Sequence, residues 1–144
     1  MTSAPTTPLH VRSGYSLLAG TAMPDRLIRR ASGLGHARLA LTDVNNLYAA
    51  TTFWRLAEAA GVRPLLGTEL TDGERTAVAL AADQGGYQNL CRIITRLHRP
   101  RARPAGRAEQ AASRPLADHL QELSDGLHLI VEDARLATDL LARG

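Results

Sequence analysis

The strongest constraint on this chain is the rhythm of its apolar residues. Short runs of strand character alternate with stretches whose apolar residues recur at helical spacing, and Gly or Pro marks most boundaries. Leu9–Arg12 reads as a first strand, and Ser13–Thr21, with Gly14 and Gly20, as a loop. Pro24 suits a first helical turn, Leu27, Ile28, Ala31 and Leu34 follow at helical spacing, and Gly35 closes the helix. Leu39–Leu41 is a buried strand ending in Thr42-Asp43. Leu47, Ala50, Trp54, Leu56, Ala57 and Ala60 form a second helix stopped by Gly61. Val62–Gly67 and Thr76–Ala82 are strands three and four, the latter preceded by an Asp72-Gly73 turn. A third helix carries Tyr87, Leu90, Cys91, Ile94 and Leu97 after Gly85-Gly86. Leu116–Leu123, Leu127–Val131 and Ala134–Leu141 give helix, strand, helix. Such alternation implies an α/β protein with about five mainly parallel strands and a ligand site at their C-terminal ends.

Composition narrows the function classes. Apolar residues are 44% and charged residues 22%, as in a chain that packs a core, but aromatics are only 3%, which leaves little surface for stacking bases. One cysteine, Cys91, excludes an internal disulfide framework and a Cys-rich zinc site. All 17 basic side chains are arginine, so a P-loop lysine and Schiff-base chemistry are excluded. Residues 1–8 show no leader, the longest apolar runs are far below membrane-spanning length, and a cytoplasmic protein is expected. Phe53, Trp54 and Cys91 are expected in the core.

The net charge of +3 is uneven. Residues 96–114 hold six arginines against one acid, and residues 115–144 hold two against six. The organisation read from this is a disordered 1–8, a core over 9–98, an Arg/Pro/Ala-rich linker over 99–115, and a helix–strand–helix unit over 116–144 in the same domain. Arg96, Arg99, Arg101, Arg103 and Arg107 could contact nucleic-acid phosphates, but no aromatic is interleaved, and a solvated linker is the preferred reading.

The strand ends hold the polar residues of interest: His10 and Arg12, Asp43, Glu69 and Thr76. Imidazole and carboxylates suit zinc, manganese or iron, and a bound metal would activate water for phosphoester hydrolysis. Residue types alone equally allow Asp43 as a helix cap and His10 as a hydrogen-bonded, half-buried imidazole. Asn45 or Asn46 suits a cap as well, and Tyr48 and Asn46 could line a pocket.

Four blocks in order, LHVRSGYSLLAG (9–20), LALTDVNNLYA (39–49), GVRPLLGTEL (61–70) and ALAADQGGYQNLCRIITRLH (79–98), resemble the start of a PHP domain. The resemblance is to the version at the N-terminus of bacterial DNA polymerase III alpha and its error-prone relatives. It implies a distorted β/α barrel, here partial, and a family metal site for zinc, manganese or iron. Family activities are phosphoester hydrolysis and, in some polymerase-attached copies, 3′–5′ exonuclease action. Of the matching ligand positions, His10, Asp43 and Glu69 are kept, whereas Arg12, Val44 and Thr76 replace histidines. Valine cannot ligate, and the fixed charge of arginine repels a cation. The resemblance therefore implies a degenerate site without a cofactor, with Arg12 in the metal's place pairing with Asp43 or Glu69, or less favourably contacting a phosphate. It also implies a structural or interaction module partnered by a polymerase or other replication and repair proteins. Alternatives are a phosphoesterase completed by a second chain and a basic nucleic-acid-binding module. A chain of 144 residues has no room for polymerase palm and fingers.

Overall fold

The computed structural model describes residues 6–99 and 114–142. Among them, the elements run α1 (Pro24–Gly33), β1 (Arg38–Val44), α2 (Ala50–Ala59), β2 (Arg63–Thr71), β3 (Thr76–Ala81), α3 (Gln84–His98), α4 (Leu116–Leu123), β4 (Leu127–Ile130) and α5 (Ala134–Leu141). The strands form one sheet in the order β1-β2-β3-β4. β1 and β2 are parallel, and β2–β3 and β3–β4 are antiparallel. Three strands thus point one way and β3 alone is reversed. The expected α/β class holds, in a sheet where three strands share one direction although two of the three pairings are antiparallel. The β2–β3 hairpin turns on Asp72, whose Oδ1 accepts from Glu74 N (3.0 Å) and Arg75 N (2.9 Å). Its Oδ2 accepts from Leu116 N (2.8 Å) and so fixes the start of α4.

The expected first strand, Leu9–Arg12, is not a strand. It lies along β1, where Ala40 N donates to Pro8 O (3.0 Å) and Thr42 N to Val11 O (2.8 Å). The donors are two residues apart and the acceptors three, so one extra residue breaks the ladder as a bulge does. Thr42 Oγ1 also intervenes, accepting from Val11 N at 2.8 Å. Pro8, at the end of the 1–8 stretch, thus takes part in the backbone hydrogen bonding along β1.

All five helices cover one face of the sheet. α1 and α2 bury Ile28, Ala31, Phe53 and Ala57 against Leu39 and Leu41 of β1. α3, α4 and α5 bury Leu90, Ile93, Leu116, Leu120 and Leu136 against Leu70, Ala77 and Ala79. Ala40, Val78 and Leu80 form a smaller cluster on the opposite face. Two expected core residues are exposed. Trp54 is 41% exposed because the buried stripe of α2 is Ala50–Phe53–Ala57. Cys91 is exposed because α3 turns Asn89, Leu90 and Ile93 inward, with Asn89 Nδ2 donating to Asp125 O (3.0 Å). Gly85 and Gly86 lie inside the first turn of α3 rather than before it. A Cβ on Gly86 would stand 1.9 Å from Gly126 O, so only glycine lets that turn meet the chain entering β4. No described helix is long and apolar enough to cross a membrane.

Candidate functional site

The site lies where the Pro8–Ser13 segment crosses the ends of β1 and β2. The register pairs Asp43 with Thr68 and Val44 with Glu69. Side chains alternate along a strand, so Asp43 and Glu69 leave the sheet on opposite sides. Asp43 shares the helix-covered face with Thr68, and Glu69 shares the opposite face with Val44.

Each carboxylate has its own partners. Glu69 Oε2 accepts from Arg12 Nε at 2.6 Å, with Arg12 Nη2 also at 2.6 Å and His10 Nε2 at 2.8 Å. The Glu69 side chain is 10% exposed, against 36% for Arg12 and 41% for His10. Burial pushes the Glu69 carboxyl pKa up, but hydrogen bonds from Arg12 and His10 and their charges outweigh it, and the net shift is downward. Asp43 is 2% exposed and accepts from Ser13 N (2.7 Å), Ser13 Oγ (2.7 Å) and Ser16 Oγ (2.6 Å). The structure thus brings His10, Arg12 and Glu69 together and gives Asp43 to two serines. Of the two carboxylates expected to pair with Arg12, it is Glu69 that does so.

Ser13 and Ser16 are the residues that sequence reasoning missed. A buried carboxylate without a cation needs several donors, and hydroxyls three residues apart in a glycine-flanked loop are the available signal. The loop is shaped for this: Ser16 N donates to Ser13 O (3.0 Å), and Gly20 N to Ser16 O (2.9 Å). A Cβ on Gly20 would come 1.9 Å from Ser13 O, so the loop closes on itself only with glycine there. Its tip exposes Leu17 and Leu18 fully.

Neither asparagine after β1 caps α2, whose N-cap is Ala49: Asn45 extends the pairing with β2, and Asn46 holds the turn that follows. Asn45 Nδ2 donates to Thr71 O (2.8 Å), and its Oδ1 accepts from Thr71 N (2.9 Å). Buried Asn46 donates to Val44 O (3.0 Å) and accepts from Tyr48 N (3.2 Å), while Tyr48 itself is 71% exposed. Thr76 is exposed at the start of β3. With His10 it lines a cleft of about 300 Å³ that also holds Glu74, Glu132, Asp133 and Ile130. Among the described residues no group of three or more His, Cys, Asp or Glu side chains is placed to hold a metal ion. Of the expected nucleic-acid contacts, Arg96 pairs with Glu122 (2.6 Å) and Arg99 is exposed at the end of α3. Arg101, Arg103 and Arg107 lie outside the described residues, as does most of the 99–115 linker.

With this geometry in hand, comparison with known proteins is decisive for the family. The PHP domain family model matches residues 8–138. The chain belongs to the PHP domain family. It is 45% identical over 100 residues to the error-prone DNA polymerase of Symbiobacterium thermophilum, covering 67% of this chain and 9% of that one. It is 34% identical over 129 residues to the DNA polymerase III subunit alpha of Escherichia coli, covering 85% of this chain and 11% of that one. The PHP chain thus spans about a tenth of the length of these curated relatives. In fold it is similar to an amidohydrolase from Chromobacterium violaceum, solved with bound sulfate and no metal. The TM-score is 0.62 at 17% identity, over 96% of this chain and 74% of that one.

Proposed function

We propose that this chain is a PHP module whose metal position has been taken over by Arg12, and that it serves a structural or docking role beside a replication or repair DNA polymerase. This module has little or no phosphoesterase or exonuclease activity of its own. The observation that carries this reading is the single oxygen Glu69 Oε2, which meets Arg12 Nε and Nη2 at 2.6 Å and His10 Nε2 at 2.8 Å. A metal ion there would face a fixed guanidinium charge and a ligand oxygen already engaged. Val44, which shares the Glu69 side of the sheet, offers no lone pair, and Asp43 points to the other side, engaged by Ser13 and Ser16. The residues present therefore do not fit the family's metals. The reading of Arg12 as a phosphate contact is weaker, because Glu69 neutralises it and the adjoining cleft carries Glu74, Glu132 and Asp133.

The test is metal analysis of the purified full chain, with hydrolysis of bis(p-nitrophenyl) phosphate assayed under added zinc or manganese. The expected result is substoichiometric metal and no metal-dependent turnover. Stoichiometric metal, with turnover abolished by Glu69→Gln, would overturn the proposal.

A further inference from the structure

The arginines differ in whether they have a counter-charge. Arg12, Arg75, Arg96 and Arg114 each face a carboxylate: Glu69, Asp139, Glu122, and both Glu122 and Asp118. Residues 24–63 are different, with six arginines and only three acids. One of those acids, Asp43, is buried and bound by Ser13 and Ser16. Among the described residues, Arg26, Arg30, Arg38, Arg55 and Arg63 have no carboxylate partner; outside this stretch the same holds for Arg92, Arg99 and Arg135, which lie in the acid-rich half. Arg29 has only an exposed contact with Asp25, at 3.6 Å.

Five of these six arginines fall into two groups, three on α1 and two at the strand starts. α1 buries Pro24, Ile28 and Ala31 against the sheet and turns Arg26, Arg29 and Arg30 outward. The three are spaced i, i+3, i+4, so they share a helix face, and they line a shallow cleft of about 370 Å³ with Gly33 and Leu34. Leu34–Ala37 then leads directly into β1, whose first residue Arg38 stands opposite Arg63 in the ladder, both exposed. Like charges facing each other across a ladder destabilise it. The pair makes physical sense where an external anion is bound.

We propose that the outer face of α1 and the Arg38–Arg63 rim bind the phosphate backbone of duplex DNA without reading its sequence. Guanidinium groups match phosphate bidentately and keep their charge at all working pH values. No aromatic side chain lines the α1 cleft, so that cleft lacks the stacking platform that single strands require; Trp54 and Tyr87 line a separate cleft that Arg63 borders. This surface is separate from the Arg12–Glu69 site, and its test does not depend on the metal reading.

The experiment is fluorescence anisotropy of the full chain with a mixed-sequence duplex between 50 and 200 mM salt. Contacts from Arg26, Arg29, Arg30, Arg38 and Arg63 predict a log–log salt slope of about −4.5, or a several-hundred-fold loss across that range. The triple variant Arg26→Gln, Arg29→Gln, Arg30→Gln should flatten the slope by about 2.7. The corresponding triple lysine variant should retain binding. Circular dichroism and melting check that both are folded, and metal content and hydrolysis should match the parent. The proposal is overturned if the glutamine variant binds like the parent. It is also overturned if binding is lost instead in Arg101→Gln, Arg103→Gln, Arg107→Gln, if a single strand of equal length binds as tightly, or if phosphatidylserine vesicles bind and duplex does not.

Discussion

The two halves of the sheet carry equal numbers of arginines and opposite electrostatics. Residues 24–63, which supply α1, β1, α2 and the start of β2, have six arginines and three acids. The described residues 64–99 and 114–142 also have six arginines, but ten acids. In the second half, carboxylates from α4 and α5 hold Arg75, Arg96 and Arg114. Among the described residues, Arg92, Arg99 and Arg135 of that half have no carboxylate partner, but ten acids surround them; in the first half only Arg29 has one, Asp25, and the other five stand without a counter-charge among three acids. The difference teaches that arginine content says little until the counter-charges are placed. The strongly basic 99–115 linker drew attention in the sequence, yet among the described residues three arginines share one outer face of α1, a helix of ordinary appearance.

The halves also have separate cores, and this gives the largest effect with which to break the comparison. Phe53 is fully buried in the α1–α2 cluster, and Leu120 in the α3–α5 cluster. Phe53→Ala should cost about 3–5 kcal/mol and Leu120→Ala about 2–5 kcal/mol in urea denaturation. Since the residues belong to different clusters, the double variant should be additive within about 0.5 kcal/mol. A larger coupling would mean that the sheet transmits strain between the halves and that they are one packing unit.

Much of the fold was legible because helix periodicity and strand character are local signals. α4 and α5 lie at their expected bounds, and α1 and α2 end before Gly35 and Gly61. The misreadings have longer-range causes. Leu9–Arg12 has strand composition, but its failure to form one depends on a spacing mismatch with Ala40 and Thr42. Cys91 and Trp54 sit one position away from truly buried stripes, and the rotation of a helix is set by what it packs on. At the site, the resemblance together with charge put Arg12 against Asp43 or Glu69 without choosing between them. That Asp43 faces the other way, toward Ser13 and Ser16, required the register of β1 with β2.

An intermediate effect comes from that ion pair, which joins the N-terminal segment to β2. Glu69→Gln keeps the shape but removes the charge that Arg12 and His10 answer. A charge-assisted bond of this kind, discounted for the 36% exposure of Arg12, supports a loss of about 1 kcal/mol at neutral pH. The pH dependence has a fixed sign. The folded pKa of Glu69 is below its ordinary value of 4.5, so its contribution is complete above that value and is lost as the pH falls through the folded pKa. Parent and Glu69→Gln stabilities should therefore converge in acid, and a gap that persists there would show that the charge is not what holds the segment.

The smallest effect tests whether pairing itself silences an arginine. Glu122 is exposed between Arg96 and Arg114, and their hydrogen bonds and charges lower its pKa to about 2. Its contribution to stability is thus present above the ordinary 4.5 and fades as the pH drops toward that lower value. Exposed pairs contribute little and are screened by salt, so Glu122→Gln should scarcely move the melting temperature. Its effect on charge is more informative. Arg96 loses the carboxylate at 2.6 Å, whereas Arg114 keeps Asp118 at 3.6 Å, so one arginine is released on the acidic half. If lack of a counter-charge is what makes an arginine available to a phosphate backbone, duplex DNA affinity should rise a few-fold at low salt. One added contact should also steepen the salt slope by about 0.9. An unchanged slope would mean that the surrounding acids of α4 and α5 still repel the duplex. Position in the basic half, rather than the pairing of each arginine, would then set where DNA binds.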